Sequence, residues 1–187
     1  MKFRNIAVLI IIFGAYLLIN QINYTRQIYD LGTSLDSKIP FIPLFVLFYL
    51  SYFILILLPL TEKSEDEVVL NYSIAAVISF LFFVLLPSTI YRPLIQNNNI
   101  FSGLLNLVQN IDHPYNLFPS LHATLLTLSF IFLLKNNKKT AYYLLPLFIL
   151  SLVSTLFIKQ NYLLDLISGI LLALLTLFIA KKVKQVM

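Results

Sequence analysis

Six apolar runs, most of them close to the length that crosses a lipid bilayer, leave this chain few folds to adopt. They cover residues 6–22, 41–60, 68–86, 120–134, 141–158 and 163–180. A helix needs about 20 predominantly apolar residues to span the ~30 Å hydrocarbon layer. In lipid the backbone must also satisfy its own hydrogen bonds, which a helix does within one segment. Of the 187 residues, 59% are hydrophobic and only 11% charged, whereas a soluble domain carries about 25% charged residues. The expected fold is therefore all-α: a polytopic membrane protein, six transmembrane helices in one bundle, with residues 1–187 forming a single membrane domain.

The joins between the runs carry the rest of the information. Lys2 and Arg4 precede the first run, and no small-x-small cleavage site follows it, so it reads as a retained signal anchor. Residues 62–67, Glu-Lys-Ser-Glu-Asp-Glu, form a charged turn without the spaced ligands and glycine of a calcium loop. Between the third and fourth runs lies the longest non-spanning segment, residues 94–118. Within it Ile100, Phe101, Leu104, Leu105, Leu107, Val108 and Ile111 recur at helical spacing. A helix that short does not cross a bilayer, so the expectation is a short interfacial helix between the third and fourth spans, lying over the site.

Six spans put both termini on one side, and the positive-inside rule says which. With the N-terminus inside, the inner joins hold Lys2, Arg4, Lys63, Lys135, Lys138, Lys139, Lys181, Lys182 and Lys184, against Arg26, Lys38, Arg92 and Lys159 outside. Nine against four places both termini in the cytoplasm of a multi-pass cell-membrane protein. The net charge of +5 is then accounted for by cations beside anionic lipid, not by nucleic acid. The absence of cysteine excludes disulfides, thiolate metal sites and cysteine nucleophiles. Tyr24, Tyr52, Tyr72, Tyr91, Tyr142, Tyr143 and Tyr162 stand near run ends, where tyrosine anchors a helix in the headgroup layer.

The reactive residue types converge on the outer side. Arg92-Pro93 follows the third run. Pro119-Ser120-Leu121-His122 opens the fourth, and Lys159-Gln160-Asn161-Tyr162-Leu163-Leu164-Asp165 opens the sixth. The first N–H groups of a helix lack intrahelical partners and sit at the positive end of its dipole, so an apolar helix beginning at Ser120 offers an anion-binding end. Ser120 adds a hydroxyl donor and His122 a titratable ring. Asp165 starts an otherwise apolar run, where a carboxylate is costly unless paired, and Lys159 is its expected partner. Nothing in this set has the carboxylate clustering of a metal site, so no metal and no cofactor is expected.

These three pieces, together with the longer string Asp112-His113-Pro114-Tyr115-Asn116-Leu117-Phe118 ahead of Pro119, resemble the type-2 phosphatidic acid phosphatase superfamily. The resemblance spans residues 86–169 and is nearest to the Pro-Ser-Leu-His branch that includes inositol phosphorylceramide synthases. It implies a six-span fold and transfer of a phosphoryl group through a covalent histidine intermediate. Arg92 matches the first-motif arginine that clamps phosphate oxygens, and Ser120 a phosphate donor. His122 matches the acid that protonates the leaving alkoxide. Lys159 matches the branch's basic third-motif residue, and Asp165 the carboxylate that orients the nucleophilic histidine.

At the nucleophile the chain departs from the pattern, with Asn161 in its place. An amide nitrogen has no available lone pair and cannot accept a phosphoryl group. Residues 161 and 165 are four apart and are expected on one helix face. Two functions remain open. One is a lipid-phosphate phosphatase or phosphotransferase that works without the covalent histidine. The other is an inactive binding or regulatory protein for a phospholipid or polyprenyl-phosphate headgroup. In both, the partners are a lipid phosphate and the surrounding membrane lipids. His113, in the loop, is a less direct substitute nucleophile.

Overall fold

The structure is a computed structural model that describes residues 2–23, 28–95 and 99–186, so Tyr24 and Arg26 lie outside the described residues. Among these residues the chain forms seven α-helices: α1 (Phe3–Asn23), α2 (Val46–Leu55), α3 (Glu65–Leu85), α4 (Ile100–Ile111), α5 (Leu121–Asn136), α6 (Lys138–Phe157) and α7 (Leu163–Val186). Two-residue strands, β1 (Tyr29–Asp30) and β2 (Ser88–Thr89), pair in parallel with Tyr29 opposite Ser88. Five segments are long and apolar enough to cross a membrane: Arg4–Ile22, Pro43–Thr61, Glu65–Leu85, Lys138–Phe157 and Leu163–Gln185. The fourth expected span, α5, has 16 residues, about 24 Å of helix at 1.5 Å per residue.

Helix ends follow from the residues that supply the missing hydrogen bonds. Glu65, Asp66 and Glu67 occupy the first turn of α3, where negative charge opposes the positive end of the dipole. Asn137 both ends α5, donating its N–H to Leu133 O, and starts α6, its side chain accepting from the Thr140 N–H. Asn99 caps α4 in the same way, accepting from Ser102 N–H. The second span is interrupted after Leu55. Pro59 has no N–H to offer the Leu55 carbonyl, and Ser129 Oγ on α5 donates to that oxygen instead. Tyr72 Oη on α3 donates to the neighbouring Ile56 carbonyl. Tyr72 is fully buried and Tyr52 stacks inside the bundle. Neither is an interfacial anchor, whereas Tyr91, Tyr142 and Tyr143 are largely exposed.

Helix α5 is central, packing against α3, α6 and α7, while α2 lies against α6 and α1 against α3. Val68, Tyr72, Ala75, Phe83, Leu125, Leu128, Phe132 and Ala173 form the main core. A second core joins Leu55, Leu126, Leu133, Ala141 and Phe148. Outward-facing Leu, Ile, Val and Phe cover the perimeter, as a lipid-facing surface would.

One end of the bundle is tied by charge. Lys2 and Arg4 pair with Asp66, and Lys135 and Lys184 both reach Glu67, at 3.1 and 3.4 Å. The start of α1, the start of α3 and the ends of α5 and α7 therefore share this end. The end of α3, the start of α5 and the α6–α7 turn share the other. That second end is where Arg92, Ser120 and residues 159–165 lie.

Candidate functional site

The helix end at α5 is built as its residues require. Ser120 is the N-cap, its Oγ accepting from the Ala123 N–H at 3.2 Å. Its backbone N–H donates to the Asp165 carbonyl at 3.1 Å, and its hydroxyl donates to Asn161 Oδ1 at 3.2 Å. Thr124 Oγ1 donates to both the Ser120 and Gly169 carbonyls. Helix α7 passes so close here that a Cβ on Gly169 would stand 2.5 Å from Ser120 O.

Arg92 is held from two sides. Its Nη1 donates to the Asp112 carbonyl at 2.6 Å, and its Nη2 donates to Gln160 Oε1. Gln160 precedes Asn161, so Arg92, Gln160, Asn161 and Ser120 form one run of side-chain hydrogen bonds across a single peptide link. Burial pulls the Arg92 guanidinium below its ordinary range, opposed by the Asp112 carboxylate and the hydroxyls of Tyr49, Tyr16 and Tyr115. Burial pushes the Asp112 carboxyl up, against the hydrogen bond from Tyr16 and the charges of Arg92 and His113.

Two donors in this run are buried without an acceptor: Arg92 Nε and Gln160 Nε2. Buried polar atoms are paired in the large majority of cases. His122 Nε2 is likewise buried without a partner.

No family model, curated protein or solved structure matches this chain. The site therefore has to be read from its own geometry.

His122 turns between α2 and α6. Its ring stacks on Tyr52 with centroids 4.0 Å apart and on Tyr49 at 5.0 Å. The Ser151 backbone carbonyl hydrogen-bonds the ring, which leaves Nε2 as the open nitrogen. In the neutral imidazole that atom carries a lone pair, and it becomes a donor only on protonation. Tyr49 links the two halves of the site, since it stacks on His122 and also interacts electrostatically with Arg92.

Three placements differ from the sequence expectation. Lys159 ends α6 in the left-handed region, φ 55°, and its Nζ donates to the Asp36 and Ile39 carbonyls at 3.1 and 2.7 Å. It is thereby committed to the loop before α2, not to Asp165. Asp165 instead accepts the Tyr162 N–H at 2.7 Å, a third-position carboxylate reaching back to the N-cap as in a capping box. Asn161 lies ahead of α7, which starts at Leu163, so residues 161 and 165 do not share a helix face, but the Asn161 side chain still hydrogen-bonds the Asp165 carboxyl. The Asn161 amide is occupied by Ser120 and, at 3.4 Å, by the Leu117 carbonyl.

Gln160, Asp112 and Tyr49 were not singled out by sequence reasoning. Gln160 stood inside the third motif between two residues of apparent interest, and a neutral carboxamide gives no signal until its partner is known. His113 is fixed through its backbone, which exchanges hydrogen bonds with the Asn20 carboxamide. Among the described residues no group of three or more His, Cys, Asp or Glu is placed to hold a metal ion.

Proposed function

We propose that this chain is a membrane protein that holds the phosphate of a lipid at one end of its helix bundle and does not turn it over through a covalent histidine. The observation that carries this reading is the Arg92–Gln160 pair. Two buried donors, Arg92 Nε and Gln160 Nε2, lack acceptors beside a guanidinium fixed by the Asp112 carbonyl. A forked cation with unspent N–H groups suits a phosphate oxygen better than any neutral ligand. The helix end capped by Ser120 is joined to the same run of hydrogen bonds and adds a positive dipole end.

The surrounding architecture supports a lipid as the carrier of that phosphate. On this reading α5 is a sixth, short span, α4 lies in the interface, and the lysine-rich end faces the cytoplasm. The phosphate end then opens toward the outer leaflet. The type-2 phosphatidic acid phosphatase resemblance fits this arrangement. Asn161, engaged as an amide with Ser120, is the reason to separate binding from turnover.

A slow hydrolytic activity is the second reading, favoured by the open His122 Nε2, which could take a proton from water. Binding of dihexanoyl phosphatidic acid to the purified protein, run beside phosphate release from the same lipid, separates the two. Binding without release, weakened in Arg92→Ala, supports the headgroup-binding reading. Release by the unaltered chain that vanishes in His122→Ala would replace it with the hydrolytic one. Neither binding nor release would sink both. Phosphate release gained in Asn161→His would show a pocket complete except for its nucleophile.

A further inference from the structure

Helix α1 looks like a membrane anchor. Ile10, Ile11 and Leu18 are 66%, 68% and 67% exposed on its outer side. Its inner side, however, carries two polar residues one turn apart, Tyr16 and Asn20, and Asn20 is completely buried. Both reach the loop that follows α4. Tyr16 Oη donates to Asp112 Oδ1 at 2.6 Å. Asn20 Nδ2 donates to the His113 carbonyl at 2.8 Å, while Asn20 Oδ1 accepts the His113 N–H at 3.1 Å. Asn116 Nδ2 donates to the Tyr16 carbonyl at 3.0 Å.

We infer that Tyr16 and Asn20 are positioning residues of the phosphate site, acting through the 112–116 loop on Arg92. The relay is short. The same residue whose carboxylate Tyr16 holds, Asp112, offers the carbonyl that accepts from Arg92 Nη1. The bond from the His113 N–H to Asn20 Oδ1 holds the very peptide unit whose Asp112 carbonyl meets Arg92, and the bond from Asn20 Nδ2 to the His113 carbonyl fixes the unit after it. A guanidinium discriminates by the direction of its fork, so the loop sets which way the unpartnered Nε points. A first helix serving only as an anchor would have no use for a buried carboxamide, which is costly in an apolar setting unless its hydrogen bonds are made.

This inference rests on the phosphate-binding reading, and the experiment tells the two apart. Affinity for dihexanoyl phosphatidic acid is measured on purified full-length protein carrying Tyr16→Phe or Asn20→Ala, each alone and combined with Arg92→Lys, with thermal unfolding recorded for every variant. Tyr16→Phe removes one hydroxyl without changing shape, so it remains informative if Asn20→Ala does not fold. The expected result is an affinity loss of about tenfold in Tyr16→Phe, the scale of one hydrogen bond to a charged group. In the Arg92→Lys background the same change costs less than about twofold, because residues acting through one contact are non-additive. Equal losses in both backgrounds, or no loss in Tyr16→Phe, would overturn the positioning role while leaving the site standing. An Arg92→Lys protein that binds as well as the unaltered chain would remove the site itself, and this role with it.

Discussion

The guanidinium of Arg92 and the carboxamide of Gln160 are joined by a hydrogen bond from Nη2 to Oε1 across 68 residues of chain. The bond turns the Gln160 amide so that its oxygen meets the cation and its nitrogen, buried and unpartnered, faces elsewhere. One residue after the third span and one in the turn before the last are thus coupled. Each of them leaves one donor unused.

Replacing Gln160 tests that coupling. Gln160→Glu puts a carboxylate against Arg92 and neutralises the charge that attracts the ligand. Gln160→Ala removes a donor and the acceptor of Arg92 Nη2, but leaves the positive charge in place. The expected order of affinity for dihexanoyl phosphatidic acid is unaltered chain, then Gln160→Ala, then Gln160→Glu, with the glutamate variant weaker than the unaltered chain by about a hundredfold. That scale corresponds to about 3 kcal/mol, within the range for a charge-assisted contact. A Gln160→Glu protein that binds normally would show that Arg92 does not face the ligand.

Asp112 predicts a pH dependence. Burial holds its carboxyl above the ordinary aspartate value of 3.8, in spite of the Tyr16 hydroxyl, Arg92 and His113. The folded state therefore binds the proton more tightly than the unfolded state, and stability falls as pH rises from that value through the raised folded value. Asp112→Asn removes the titration. Its melting temperature, relative to the unaltered chain, should climb over that window and level off above it. A difference that is constant with pH, or that moves the other way, would mean that the carboxyl is not desolvated as the structure shows.

The long elements were legible because lipid imposes one rule on every span. Runs of apolar residues mark the helices, and the 3.6-residue spacing from Ile100 to Ile111 marks α4. Ser120 was legible as a helix start because a small hydroxyl residue precedes an apolar run. What could not be read is which side of a span faces inward. A helix apolar all round carries no amphipathic stripe, so Tyr52 and Tyr72 looked like interfacial anchors until packing placed them inside. Lys159 is a second case. Its direction depends on a left-handed backbone and on carbonyls of residues 36 and 39, which no local pattern announces. The roles of Gln160 and Asn20 likewise exist only through partners far along the chain.

Gly169 sets the distance between α7 and the site. An alanine there would place its Cβ 2.5 Å from the Ser120 carbonyl and 2.9 Å from Ala123 Cβ. The first of these is backbone and cannot rotate away. Gly169→Ala should lower stability by about 1–3 kcal/mol, the usual cost of overpacking, despite alanine being the better helix former. It should also weaken lipid-phosphate binding, because the N-cap at Ser120 is what moves. A variant as stable as the unaltered chain, by thermal unfolding in detergent, would contradict the close approach.

Asp36 locks the loop before α2 onto the start of α7, and its titration has the opposite sign to that of Asp112. Burial would raise its carboxyl. The hydrogen bonds from the Thr33 side chain, the Leu163 N–H and the Thr33 N–H, together with the Lys159 ammonium, outweigh that and hold it below the usual 3.8. Its Oδ1 accepts the Leu163 N–H at 2.8 Å, so a residue distant in sequence satisfies a helix-end donor. A folded value below the unfolded one means that the contribution is present above pH 3.8 and is lost as pH falls through the folded value. Asp36→Ala should therefore cost about 1 kcal/mol at neutral pH, the scale of a lost N-cap, and progressively less under acid. The same change deprives Lys159 of its nearby carboxylate but leaves the two backbone carbonyls that hold it, so Lys159 should stay in place. Cross-linking of Cys pairs introduced at positions 37 and 163 measures whether the loop remains docked. Efficient cross-linking in the unaltered background that persists in Asp36→Ala would show that Lys159 suffices to hold it. Loss of the cross-link would assign the docking to the carboxylate.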